Sequence, residues 1–163
     1  MSGAGGLFMS VKRFCLSLLC WIGLTVQGFA AELIKPDPAI TPEQVVAIQL
    51  TALQTNDTPE SDHGIRQTWA FAHPQNRAMT GPLDRFAQMI RNETYGVLLD
   101  HRQHTITTKN TARDWVQFEV LIEDSRGRAL SFYWVVKKVE EGENADCWMT
   151  SAVSPPSLVG QGS

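Results

Sequence analysis

Hydrophobic positions change their period once along this chain, near Leu98, and the change divides it into a helical half and a strand half. In the first half Val46, Leu50 and Leu53 share a helical face, with Val45, Ile48 and Ala52 beside them, a broad stripe suited to lying across a sheet. Thr41-Pro42-Glu43-Gln44 supplies an N-cap, a proline at the first helical position and a capping box closed by Gln44, so the first helix begins there. Asn56-Asp57-Thr58-Pro59 ends it. Ser61-Asp62 opens a second helix that keeps Ile65, Trp69 and Ala72 at helical spacing and is expected to stop at about Ala72, because Pro74 biases His73 out of helical geometry. Leu83, Phe86, Ala87 and Ile90 define a third helix, with Thr80 as its expected cap and Pro82 in its first turn. Residues 73–82 then read as a connector whose Gln75, Asn76 and Thr80 bond the backbone groups that helix ends leave unpaired, while Gly81 permits the turn.

Beyond Leu98 the period is two. Val116, Phe118, Val120 and Ile122 alternate with Trp115, Gln117, Glu119, Leu121 and Glu123, a strand with one buried face. Ser125-Arg126-Gly127 is a short loop, and pairing Asp124 with Arg128 across it brings Ile122 to Leu130, Val120 to Phe132, Phe118 to Trp134 and Val116 to Val136. The apolar faces coincide, and burying each of these large side chains is worth roughly 1.5–3 kcal/mol before entropy is counted. The other face sets Glu119 against Tyr133 and Trp115 against Lys137. A turn at Glu141-Gly142-Glu143-Asn144 leads to a last strand from about Cys147 to Val153, stopped by Pro155-Pro156. The fold class predicted is α+β, with N-terminal helices packed on one face of a curved antiparallel sheet of about four strands.

The first thirty residues stand apart from that plan. Lys12 and Arg13 precede an uncharged run from Phe14 to Val26, and Gly28-Phe29-Ala30 places small residues where a signal peptidase cleaves, so residues 1–30 are expected to be a signal peptide. Residues 31–40 follow as an extended leader, 41–156 as the single domain and 157–163 as a flexible tail. An exported protein, periplasmic or secreted, without stable membrane insertion after cleavage, is the expectation. Without the leader peptide's two bases the formal charge deepens from −3 to −5, which argues against nucleic acid and anionic membranes as partners. Cys15 and Cys20 leave with the leader, so Cys147 has no internal partner for a disulfide.

Particular segments carry a resemblance. Phe71-Ala72-His73-Pro74-Gln75-Asn76-Arg77, Thr80-Gly81-Pro82-Leu83-Asp84-Arg85-Phe86, Tyr95, Leu98-Leu99-Asp100-His101 and Cys147-Trp148-Met149-Thr150 resemble the uncharacterised domain-of-unknown-function family 4864, over about residues 41–156. Such proteins are similar in plan to the cone-shaped fold shared by nuclear transport factor two and ketosteroid isomerase. The resemblance implies a bacterial or photosynthetic lineage, with the periplasm or thylakoid lumen as location, and brings no activity with it.

In a cone of that kind the helices and the inner sheet face enclose a cavity. Every inward position on the two central strands is apolar, whereas isomerase-type catalysis needs a carboxylate or donor aimed into the pocket, and Glu119 and Tyr133 fall on the other face. The expectation is therefore a non-catalytic module that binds a small apolar or anionic ligand or another protein. Arg77 or Arg85 would meet an anionic group, Tyr95 and Trp148 would form apolar walls, and Asn76 and His73 would stand at the mouth. A purely structural role for Arg77, an ion pair with Asp84 or Asp100, competes with this. The alternative is a cofactor-free isomerase or dehydratase-like enzyme, with Asp100 or His101 as base and Tyr95 as donor.

No cofactor is expected. His101 and His104, three apart, would face opposite sides of a strand, and no Cys, Asp or Glu cluster completes a metal site. There is no glycine-rich phosphate loop and no serine in a nucleophile elbow. Trp115, Leu121, Tyr133 and Val135 offer an outer sheet face through which a homodimer would form.

Overall fold

Four helices precede an antiparallel sheet in the computed structural model, which describes residues 32–159. The expected signal peptide lies outside the described residues, as do residues 160–163. Helix α1 spans Pro42–Gln54, α2 His63–Ala70, α3 Pro74–Thr80 and α4 Leu83–Ile90. A single 3-10 turn at Gly96–Leu98 leads to β1 (Gln103–Thr111), β2 (Trp115–Glu123), β3 (Ala129–Lys138), β4 (Trp148–Val153) and β5 (Ser157–Leu158). The sheet runs β1-β2-β3-β4, and β5 continues β3's outer edge beyond the end of β4. The class is α+β, and among the described residues no helix is long and apolar enough to cross a membrane.

The β2–β3 hairpin has the register that the alternation predicts. Ile122 meets Leu130, Val120 meets Phe132, Phe118 meets Trp134 and Val116 meets Val136, all buried, while Glu119 faces Tyr133 and Trp115 faces Lys137. On the outer face Leu121 and Tyr133 are exposed, whereas Trp115 and Val135 are partly covered. Asp124 locks the turn: its Oδ1 accepts from the Arg126 and Arg128 amides, each at 2.9 Å, and its Oδ2 from Arg128 Nε at 2.7 Å. Burial raises the Asp124 carboxyl pKa, but the Arg128 and Arg126 hydrogen bonds and the Arg128 charge outweigh it and hold the group below the usual carboxylate value.

Helix α1 starts where its capping box predicts, with Thr41 Oγ1 accepting from the Gln44 amide and Gln44 Oε1 from the Thr41 amide. Its stripe of Val45, Val46, Leu50 and Leu53 is fully buried in the main core, together with Ile65, Phe86 and the inner face of β2 and β3. Asn56 then serves α2 as well: its backbone carbonyl accepts from the Gly64 amide at 2.9 Å and its Oδ1 from the Ile65 amide at 3.1 Å. Helix α2 opens directly after Ser61-Asp62, as expected; Asp62 has a left-handed backbone at φ 61°, makes no side-chain cap, and its carboxylate pairs with Arg91. Gly64 is where α1 and α2 touch, since a Cβ there would lie 2.2 Å from the Ala52 carbonyl oxygen.

Three expectations need correction. Residues 74–80 are a helix and not an irregular connector: Pro74 takes the first helical position, His73 stays extended at ψ 146°, and the chain restarts at once. An X-Pro step marks a boundary but does not distinguish a coil from a new helix beyond it. Thr80 does not cap α4, because its hydroxyl donates back to the Asn76 carbonyl inside α3 at 2.9 Å, and Pro82 stands at the N-cap. The chain beyond Pro156, expected as a tail, begins with Ser157 and Leu158 paired to Ser131 and Leu130. Ahead of α1, residues 38–40 form a turn, and Ile34 exchanges two backbone hydrogen bonds with the buried Gln67 side chain, both at 2.8 Å.

Candidate functional site: a neutral cavity between the helices and the last long strand

The junction of α2 and α3 does more than turn the chain. Phe71 O accepts from the Thr150 amide at 2.8 Å and Thr150 O from the His73 amide at 2.9 Å, so this junction pairs with the free edge of β4 as a short parallel bridge. Asn76 adds a third contact, Nδ2 to Thr150 O at 3.2 Å. A register shift between Val135 and Val136 leaves Ser151 as an extra residue in β4, while Thr150 pairs with the buried Val136 and is itself buried. Between this edge and α1, α2, α3 and α4 the chain leaves a cavity of about 200 Å³.

Three neutral polar groups stand at its inner wall. Gln49 Oε1 accepts from Thr150 Oγ1 at 2.6 Å and from Trp134 Nε1 at 3.2 Å, while Trp134 Nε1 also reaches Thr150 Oγ1 at 3.0 Å. Gln49 Nε2 donates to the Thr68 carbonyl at 3.0 Å. One cluster therefore joins α1, α2, β3 and β4, and its members need the low-dielectric interior to be mutually satisfied. Phe86, Leu98, Met89 and Ile90 supply apolar wall, and Met79, 80 % exposed, lines its solvent side. Tyr95 lines the cavity too, with its hydroxyl donating to Val153 O at 3.2 Å, and burial raises its pKa. No charged side chain lines this cavity.

Of the residues singled out from sequence, Asn76 and Tyr95 reach this wall and the others do not. Arg77 turns away: its Nη2 donates to the Trp69 and Ala70 carbonyls at 2.9 and 3.0 Å, with the guanidinium 5.1 Å from the Trp69 ring centroid. It caps the C-terminal end of α2, where a cation also meets the negative end of the helix dipole, and neither Asp84 nor Asp100 pairs with it. Arg85 is exposed and lies against Gly81. Trp148 is partly buried on β4 with Lys138 Nζ 5.7 Å from its ring centroid. His73 is buried as the α3 N-cap, accepting at Nδ1 from the Gln75 amide at 3.2 Å, and burial lowers its pKa against a raising contact with the Lys138 backbone.

The acid–base trio is not assembled. Asp100 is exposed, at the left-handed φ of 52°, and its amide donates to Leu53 O. His101 is 1 % exposed but belongs to another contact, with Nδ1 2.7 Å from Leu98 O and Nε2 2.8 Å from His104 Nδ1. The two imidazoles meet although three residues apart, because the strand begins only at Gln103 and His101 lies in the bend before it. The alternation rule fails there for want of a strand. Burial lowers both histidine pKa values, and for His101 the Leu98 carbonyl and Asp100 work against it while His104 adds to it. Their direct hydrogen bond leaves no room for an ion between them, and among the described residues no three His, Cys, Asp or Glu side chains gather around a common point.

Gln49 is the residue that sequence reasoning passed over. A signal existed, since Gln49 sits four residues after Val45 and four before Leu53 and so interrupts the apolar stripe of α1 with an amide. Thr150 carried no such mark.

A family model described as Domain of unknown function (DUF4864) matches residues 36–154. No curated protein and no solved structure matches the chain.

Proposed function

The chain belongs to the DUF4864 family, and we propose that it works by binding one small, neutral, mostly apolar molecule in the cavity between its helices and β4. The observation that carries this reading is a wall that combines aromatic and aliphatic side chains with a few oriented neutral polar groups and no charge. A space of about 200 Å³ is of the order that holds a single ring, given that a cavity of about 150 Å³ accepts benzene. An anionic or cationic guest would enter without a counter-ion and lose its hydration, so the wall favours uncharged guests.

Catalysis of the isomerase kind draws no support from the same wall. Tyr95 is its one titratable side chain, and burial keeps that phenol protonated. Asp100 and His101 stand elsewhere. Export to a periplasm or the cell exterior belongs to the proposal as well, supported by Lys12, Arg13 and the apolar run that follows them.

Native mass spectrometry of the protein, purified from an exporting host without added ligand, tests both halves. A reproducible excess over the denatured mass, lost on solvent extraction, is the result expected, on a chain that begins at Ala31. A bare native mass that also fails to take up added monocyclic aromatics removes the binding function.

A further inference from the structure

Among the buried polar groups of the cavity wall one donor is left over. Gln49 is 1 % exposed, and its Oε1 takes two hydrogens, from Thr150 Oγ1 and Trp134 Nε1, while its Nε2 faces the Thr68 carbonyl; the indole N–H can only donate and the carbonyl can only accept, so neither suits the flipped amide. The amide is thereby oriented, oxygen toward β3 and β4 and nitrogen toward α2. Its nitrogen carries two hydrogens. One goes to Thr68 O at 3.0 Å, and among the described residues no protein acceptor takes the other. A buried donor without an acceptor carries a desolvation penalty that a guest with a suitable oxygen relieves. The Thr150 hydroxyl hydrogen is spent on Gln49 and the Tyr95 hydroxyl hydrogen on Val153 O, while the second amide hydrogen of Asn76, a partly exposed residue, is open to water.

Resting on the binding function above, we propose that Gln49 is its specificity-determining residue, and that the cavity selects a neutral monocyclic molecule bearing one hydrogen-bond acceptor, a carbonyl above all, which the free Gln49 amide hydrogen reads. Thr150 and Trp134 are positioning residues. They hold the amide so that its donor side, and not its acceptor side, meets the guest. A site arranged around such a donor discriminates against an isostere that lacks the acceptor, because the donor is then left buried and unpaired.

Acetophenone and α-methylstyrene share a skeleton and differ in a carbonyl oxygen against a methylene, so they isolate this contact. Titrated into the 15N-labelled full chain, acetophenone should shift one of the two Gln49 side-chain amide protons downfield, and α-methylstyrene should leave that proton in place while perturbing the apolar wall. The ratio of the two affinities should fall by about threefold to tenfold in Gln49→Met, as for the loss of one neutral hydrogen bond. Asp124→Asn, in the distant β2–β3 turn, should leave the ratio unchanged. If Gln49→Met does not fold, the amide shift in the native protein decides. Binding of both compounds with the same response at Gln49 overturns the role of the amide and leaves the cavity as a binding site. Binding of neither overturns the binding function and this specificity together.

Discussion

The Asp124 carboxylate and the Gln49 amide are both almost lost to solvent, at 2 % and 1 % exposure, yet they are satisfied in opposite ways. Asp124 takes its hydrogen bonds from residues two and four positions on, inside one hairpin turn. Gln49 donates to Thr68 and accepts from Trp134 and Thr150, on three other elements up to 101 positions away. A charged acceptor can be capped locally because a turn presents several amides to one point. A neutral amide with a donor and an acceptor side needs partners on both flanks, and only packed elements from different parts of the chain supply them. The first arrangement therefore stabilises one hairpin, and the second ties the helical layer to the sheet beside the cavity.

Substitutions that separate the two sites should differ in size and in reach. The largest effect is expected for Gln49→Leu, which leaves the buried Thr150 hydroxyl hydrogen without its acceptor and takes one of two contacts from both the Trp134 N–H and the Thr68 carbonyl, and which should lower stability by about 2–4 kcal/mol in urea denaturation. Combined with Thr150→Val it should cost clearly less than the sum of the two single changes, since both remove the same 2.6 Å hydrogen bond. Full additivity there would mean that the cluster does not act as a unit. Asp124→Ala comes next, at about 1–3 kcal/mol, with Asp124→Asn milder because one amide oxygen can still accept from the turn. Asp124→Ala paired with Gln49→Leu should be additive.

Acid separates the sites further. His73, His101 and His104 have pKa values lowered by burial, so below the ordinary value of 6.5 the unfolded chain binds protons that the folded one resists, and stability falls as the pH drops. Asp124 behaves otherwise: its lowered value keeps its contribution complete above 3.8 and loses it only as the pH falls through the folded-state value. Denaturation curves at pH 7.5, 6 and 5 should thus show a decline that His101→Gln reduces and Asp124→Asn leaves untouched. A decline of the same depth in His101→Gln would sink the assignment to the buried imidazole pair.

At the mouth of the cavity the effects should be smallest. Tyr95→Phe removes a single bond to Val153 O and should cost about 0.5–1.5 kcal/mol. Met79→Ala, at a side chain 80 % exposed, should change stability by no more than about 0.5 kcal/mol while speeding guest exchange in NMR lineshapes. A large loss of stability in Met79→Ala would show that the side chain packs into the core in solution and does not line the cavity's solvent side.

Legibility followed the same division between near and far partners. The β2–β3 pairing could be written down from alternation alone, because a register error of one residue would turn Phe118, Val120 and Ile122 to the outer face. The start of α1 was equally open to reading, since every partner in its cap lies within three residues. Helix α3 escaped because Pro74 and Gly81 carry the same local signals whether the residues between them coil or wind. Arg77 and His73 looked like binding groups for the same reason. Their polarity is visible in the chain, whereas the carbonyls and the strand edge that use it are not.

What belongs to the linear chain here is everything set by neighbours a few residues apart: the helix start at Thr41, the hairpin register, the Asp124 turn and the α+β order of elements. The cavity, the orientation of the Gln49 amide and the meeting of His101 with His104 came from packing, because each depends on where separate elements dock or where a strand begins. Local preferences of a few tenths of a kcal/mol to about 1 kcal/mol per residue can write the first group. The second group needs burial, which only a folded chain provides.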